Sequence, residues 1–133
     1  KVSTILGLGY PGGPAVDRAA AGGDPRAVAF PRTLLGPSSL DFSFSGLKTA
    51  VRYHVEGVPG TAAAPGERRG REHLDDTAIR DIAASFQQAV VDVLIEKLRR
   101  AVEHTAAAGI IIGGGVAANT ALRAATKKKP AAR

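Results

Sequence analysis

A chain of 133 residues, 44% of them hydrophobic but only 5% aromatic, fits one domain whose core is built from Ala, Val, Leu and Ile. The absence of cysteine excludes disulfides and thiolate metal sites, and no apolar run approaches the ~20 residues of a membrane helix. A net charge of +6 favours anionic partners such as RNA or nucleotides, although the clusters Lys127–Lys129 and Arg68, Arg69 and Arg71 also read as solvated surface.

In chain order, Val2, Ile5, Leu6 and Leu8 have the spacing of the last turns of a helix, ended by Gly7 or Gly9. Tyr10-Pro11-Gly12-Gly13-Pro14 interrupts regular structure. A short helix is predicted over 14–21, with Pro14 at its first position and Gly22-Gly23 ending it. Residues 27–30, AVAF, read as a short strand limited by Pro31. In DFSFSGLKTAVRYHV the period changes from 2 to 3.6. Phe42 and Phe44 alternate as in a strand, with their rings expected against a sheet. Leu47, Val51 and Val55 then mark one face of a helix capped by Ser45.

Residues 57–72 carry Gly and Pro without apolar periodicity and read as a surface loop. The clearest element is a helix over about 75–107, with Ile79, Ile82, Phe86, Val90, Val93 or Leu94, and Leu98 at three- and four-residue spacing. Its acids come first and its basic residues late, as the helix dipole favours, and its length predicts a break near the C-terminal end. Ile110-Ile111-Ile112 reads as a strand buried on both faces, Gly113-Gly114-Gly115 as a turn, and 116–126 as a further helix. Helix, buried strand, glycine turn and helix in that order belong to an α/β fold.

Two stretches carry candidate chemistry. Bare main chain at Gly114 and Gly115, followed by Asn119, offers backbone N–H groups and one amide to a polar ligand; the alternative is a tight turn with Asn119 facing solvent. Gly12 and Gly13 followed by Asp17 repeat that logic, because a carboxylate accepts hydrogen bonds from ribose hydroxyls, whereas an Asp one turn into a helix also serves the dipole alone. Ser45 and Lys48 read as a cap and a surface lysine rather than a hydrolytic dyad. His54, His73 and His104 lack metal-ligand spacing.

Together, KVSTILGLGYPGGPAVDRAA, SLDFSFSGLKTAV, IAASFQQAVVDVLIEKLRRA and GGVAANTALRA resemble consecutive blocks of the tRNA N6-adenosine threonylcarbamoyltransferases, over Lys1 to about Ala125. The resemblance implies an α/β, actin-like ATPase fold, helix-rich with a few short strands. Residues 1–126 then form a C-terminal-half segment of that domain, and 127–133 a basic tail. It implies transfer of a threonylcarbamoyl group from threonylcarbamoyl-AMP to N6 of adenosine 37 in tRNAs reading codons that begin with A. Gly13 and Asp17 match the PGG-x-x-x-D positions that contact the adenylate, and Asn119 the Asn of GGVxxN; Gly12, Gly114 and Gly115 stand beside them. No catalytic residue is implied within the chain. A divalent metal, iron or zinc, is expected for the family. Its HxxxH ligands, a glycine-rich loop and a later Asp are expected outside these residues, so this segment alone is expected to be inactive. Accessory proteins of tRNA threonylcarbamoylation, a cytoplasmic location and no membrane partner are further implied.

Two other readings stay open. One is a non-catalytic remnant or adaptor lobe that docks a partner protein or RNA. The other is a peptidase, suggested by an older name of the family, for which the chain offers no thiol, no zinc-protease spacing and no Ser/His/Asp set.

Overall fold

Residues 1–128 are described by a computed structural model, in which five α-helices form: α1 (Val2–Leu6), α2 (Gly12–Ala20), α3 (Ser45–Glu56), α4 (Asp76–Thr105) and α5 (Thr120–Lys127). Single 3-10 turns occur at Arg71–His73 and Gly115–Ala118. The basic tail expected at 127–133 lies outside the described residues from Lys129 onward.

The helix α4 is the spine. Asp75 caps it, its Oδ1 accepting from the Ala78 N–H at 2.7 Å, so one of the four orphan donors of the first turn is satisfied. The predicted break does not occur, and the helix runs unbroken to Thr105. Ion pairs from Glu96 to Arg99 and Arg100, and from Arg99 to Glu103, lie at three- and four-residue spacing and support its last turns.

Helices α1, α2 and α3 pack with α4 around one core of Val2, Leu6, Val16, Ala20, Phe30, Leu47, Val51, Val55 and Ile82, completed by small α4 residues. The predicted stripe Leu47, Val51, Val55 is fully buried, each side chain contributing about 1.5–3 kcal/mol of burial. Gly7 ends α1 with φ 70°, the left-handed cap expected there.

Two helix starts differ from expectation. The helix α2 begins at Gly12, not Pro14, because the N–H groups of the first turn need no intrahelical acceptor and Pro14 is accommodated as the third residue. Both glycines are therefore helical. At α3, Phe44 takes the cap position and Ser45 is the first helical residue; the Ser45 N–H donates to Ser43 Oγ at 3.4 Å.

The expected strands are corrected more deeply, since no strand occurs among the described residues. A strand needs a partner to pair its N–H and C=O groups, and none of the candidates has one among the described residues. Val28 donates its N–H to Ser85 Oγ on α4 at 3.1 Å while Phe30 enters the core. Phe42 is half exposed and leans on Phe44, the ring centroids 5.4 Å apart, with no sheet behind them. Ile110, Ile111 and Ile112 are exposed, Ile111 to 99%.

Several long-range ties come from basic residues. Lys97 is buried on α4 and donates to the carbonyls of Leu34 and Ser39; Arg100 donates to those of Gly36 and Ser39. Burial pushes the Lys97 ammonium below its usual range. The loop over 57–72 is closed by Arg69, which reaches the carbonyls of Thr61 and Ala62 and the carboxylate of Glu67.

Hydrogen bonds from Arg99 and then Arg100 hold the Glu96 carboxyl at about 2, below its ordinary 4.5. A lowered folded value stabilises above the unfolded value and is lost as the pH falls through the folded one. The contribution of Glu96 is thus complete above about pH 4.5, shrinks below it and is gone near pH 2. Melting curves should show Glu96→Gln below the wild type at pH 6, with the gap closing as the pH approaches 2. A gap independent of pH would contradict the assignment.

Candidate functional site

Asp17 and Asn119 sit where α2, α4 and α5 meet. Asp17 lies on α2, one turn beyond Gly13, so the two share a helix face. Its Oδ2 accepts from both the N–H of Thr120, at 3.1 Å, and the Thr120 hydroxyl, at 2.8 Å. These bonds cross 103 residues of sequence. They set a carboxylate at the N-terminus of α5, where its negative charge suits the helix dipole.

Asn119 is the cap of α5. Its Oδ1 accepts from the Leu122 N–H at 2.9 Å, and its Nδ2 donates to Gln87 Oε1 on α4, also at 2.9 Å. Asp17 and Asn119, predicted from stretches a hundred residues apart, therefore adjoin through Thr120. The predicted helix over 116–126 divides here into the 3-10 turn Gly115–Ala118 and α5, because Asn119 adopts an extended φ of −63° and ψ of 127° to cap the latter.

The glycines separate into two kinds. A Cβ at Gly12 would stand 3.3 Å from the Ser3 Cβ, so the absence of a side chain there belongs to the packing of α2 on α1. Gly114, at φ 90°, needs glycine for its left-handed backbone. At Gly13 and Gly115 a Cβ would meet nothing within 4 Å, and neither has a positive φ. Neither packing nor backbone conformation calls for glycine at these two positions.

One oxygen of Asp17 is committed to Thr120. A carboxylate has acceptor capacity on both oxygens, and Oδ1 has no hydrogen-bond partner among the described residues. Thr120 and Gln87 are the residues that sequence reasoning missed. Both stand within the quoted family blocks, but a threonine after a cap and a glutamine on a long helix carry no periodic signal that marks a role.

Other candidates are not brought together. Ser45 and Lys48 are exposed on the first turn of α3. His54 stands edge-on to Phe30, His73 lies beside Glu72, and His104 contacts the Arg100 carbonyl. Among the described residues no three His, Asp or Glu side chains are grouped to hold a metal ion, so the residues present do not fit a metal centre. Of the arginine cluster, Arg69 and Arg71 are spent on carbonyls, the latter on that of Thr4. No helix is long and apolar enough to cross a membrane among the described residues.

The family model described as "TsaD: tRNA N6-adenosine threonylcarbamoyltransferase" matches residues 1–132. Curated proteins with the name tRNA N6-adenosine threonylcarbamoyltransferase are similar to the chain. The one from Syntrophotalea carbinolica is 48% identical over 123 residues, covering 92% of this chain and 32% of that protein. The one from Bordetella petrii is 49% identical over 123 residues, with the same coverage. The one from Corynebacterium aurimucosum is 47% identical over 134 residues, 97% of this chain and 35% of that protein. The chain thus spans about a third of the length of the curated relatives it matches.

Proposed function

The chain belongs to the tRNA N6-adenosine threonylcarbamoyltransferase family, and from that membership we propose that it supplies one wall of the adenylate site of a complete enzyme. That enzyme transfers a threonylcarbamoyl group from threonylcarbamoyl-AMP to N6 of adenosine 37 of tRNAs reading codons that begin with A. Membership also implies the actin-like superfold, of which these helices form part.

In this reading Gly13, with Gly12 beside it, and the turn at Gly114 and Gly115 let the nucleotide lie against main chain. Asp17 keeps Oδ1 for a ribose hydroxyl, and Asn119 offers its second Nδ2 hydrogen. The observation that carries the reading is the joining of Asp17 to the Asn119 cap through Thr120, with open space over Gly13 and Gly115. In the reaction the exocyclic amine attacks the carbamoyl carbon, the bond from that carbon to the phosphate oxygen breaks, AMP leaves and N6 loses a proton. The wall residues bind and orient; none is assigned to the proton. Iron or zinc, expected for the complete enzyme, would take its ligands from outside the described residues, and no step is routed through it. Accessory proteins of threonylcarbamoylation would assemble on the complete enzyme, in the cytoplasm.

The second reading, an adaptor lobe without adenylate, draws on the commitment of Asp17 Oδ2 to Thr120. Transfer to tRNA by the complete protein separates the two. Asp17→Ala should reduce transfer about tenfold or more, the loss of one charged hydrogen bond. A wild-type protein that binds no adenylate would favour the adaptor.

A further inference from the structure

Asn119 has an amide whose two ends differ chemically, and the way it faces decides what a ligand meets. The Leu122 N–H can only donate, so the Asn119 atom 2.9 Å away must be the oxygen. The Nδ2 end is then turned toward α4, where Gln87 Oε1 accepts at 2.9 Å. That fixes the amide of Gln87 as well, its oxygen inward. Both side chains are half-buried, so the bond is shielded from competing water. The neighbouring Gln88 is employed elsewhere, donating from Nε2 to Asp92 Oδ1 at 2.7 Å.

We infer that Gln87 is a positioning residue: by accepting one Nδ2 hydrogen of Asn119, it holds that amide with its second N–H aimed at the nucleotide. The inference rests on the adenylate reading for its ligand, but not for its geometry. Backbone capping alone leaves the Nδ2 group free to tilt about χ2, a broad torsion for asparagine. A second bond from a separate helix removes that freedom. The effect on binding is one of preorganisation, since the donor is already aligned when the ligand arrives.

The test uses the complete protein, with AMP as the probe. Gln87→Leu removes the acceptor at similar size, Gln87→Glu keeps it, and Gln88→Leu is the control. In spectra of protein labelled with nitrogen-15, the side-chain amide signals of Asn119, assigned by their loss in Asn119→Ala, should move in Gln87→Leu and stay near their wild-type positions in Gln88→Leu. AMP affinity measured by calorimetry should fall about tenfold in Gln87→Leu, as for one lost orienting hydrogen bond, and stay within about threefold in Gln87→Glu. Unmoved Asn119 signals in Gln87→Leu overturn the inference. So does full AMP affinity in that variant when Asn119→Ala has lost it. If Asn119→Ala itself keeps full affinity, the adenylate reading falls, and the amide signals alone decide whether Gln87 orients Asn119. Should Gln87→Leu fail to fold, Gln87→Glu against Gln87→Lys, acceptor against donor at similar reach, makes the same comparison.

Discussion

Gly23→Ala is expected to destabilise the protein by about 3 kcal/mol, the upper range for overpacking a rigid contact. A Cβ at Gly23 would fall 2.0 Å from the Arg80 carbonyl oxygen, 2.4 Å from its carbon and 2.8 Å from the Asp81 nitrogen. All three are backbone atoms of α4, so no flexible side chain can swing aside. The segment cannot lift away cheaply either. The Asp24 N–H donates to Asp81 Oδ1 at 2.8 Å, and Ser85 Oγ donates to the Asp24 carbonyl at 3.2 Å while accepting from Val28. Ser85 is fully buried, so breaking these bonds strands polar groups away from water. Gly22 is the internal control, because a Cβ there would meet the Arg80 side chain at 3.2 Å, and that chain can yield. Thermal melts should place Gly23→Ala several degrees or more below Gly22→Ala. Equal melting temperatures would show that the turn after α2 does not approach α4 this closely.

Asn119→Ala should cause two separable losses. Removing Oδ1 uncaps α5, at about 1 kcal/mol of stability. Removing Nδ2 takes away the proposed adenylate contact, expected at about 1–3 kcal/mol of binding, or roughly five- to 150-fold in affinity. Asn119→Asp divides them. Aspartate caps as well as asparagine does, so its melting temperature should stay near that of the wild type. It has no N–H to offer, so AMP should bind it as weakly as it binds Asn119→Ala. Melts and calorimetry on the three proteins check both halves. An aspartate variant with full AMP affinity would leave Asn119 a cap and nothing more.

The helices were legible because their signals are local. Leu47, Val51 and Val55 are spaced for one buried face and occupy it. Asp75 precedes α4 as a capping acid should. The buried face of α4 was less legible. Ile82 and Val93 are buried as expected, but Phe86, Val90, Leu94 and Leu98 sit at the margins, while Ala83, Ala84, Ser85 and Ala89 lie inside. Where helices approach closely, small residues form the contact, and periodicity read from large ones misses it. The strands were misread for another reason. The isoleucines at 110–112 have strand chemistry, but pairing is a property of two segments, and no second one lies alongside among the described residues.

At the site, Asp17 and Asn119 were readable as residue types in motif positions, because glycine, acid and amide each have a specific use beside a nucleotide. Their meeting was not readable, since it depends on Thr120 and Gln87, whose roles arise only when α2, α4 and α5 converge. Gly12 and Gly13 looked alike in sequence and differ in space. The first packs on Ser3, and the second faces an opening.

That difference supplies the most direct test of the adenylate wall. Gly13 lies in the first turn of α2 with nothing within 4 Å of an added Cβ, so Gly13→Val should fold as stably as the wild type. A nucleotide resting on that main chain would collide with the new side chain. Titration of the complete protein with AMP should therefore show binding at least about tenfold weaker in Gly13→Val, with the melting temperature unchanged. Wild-type AMP affinity in a folded Gly13→Val protein would mean that no nucleotide lies there.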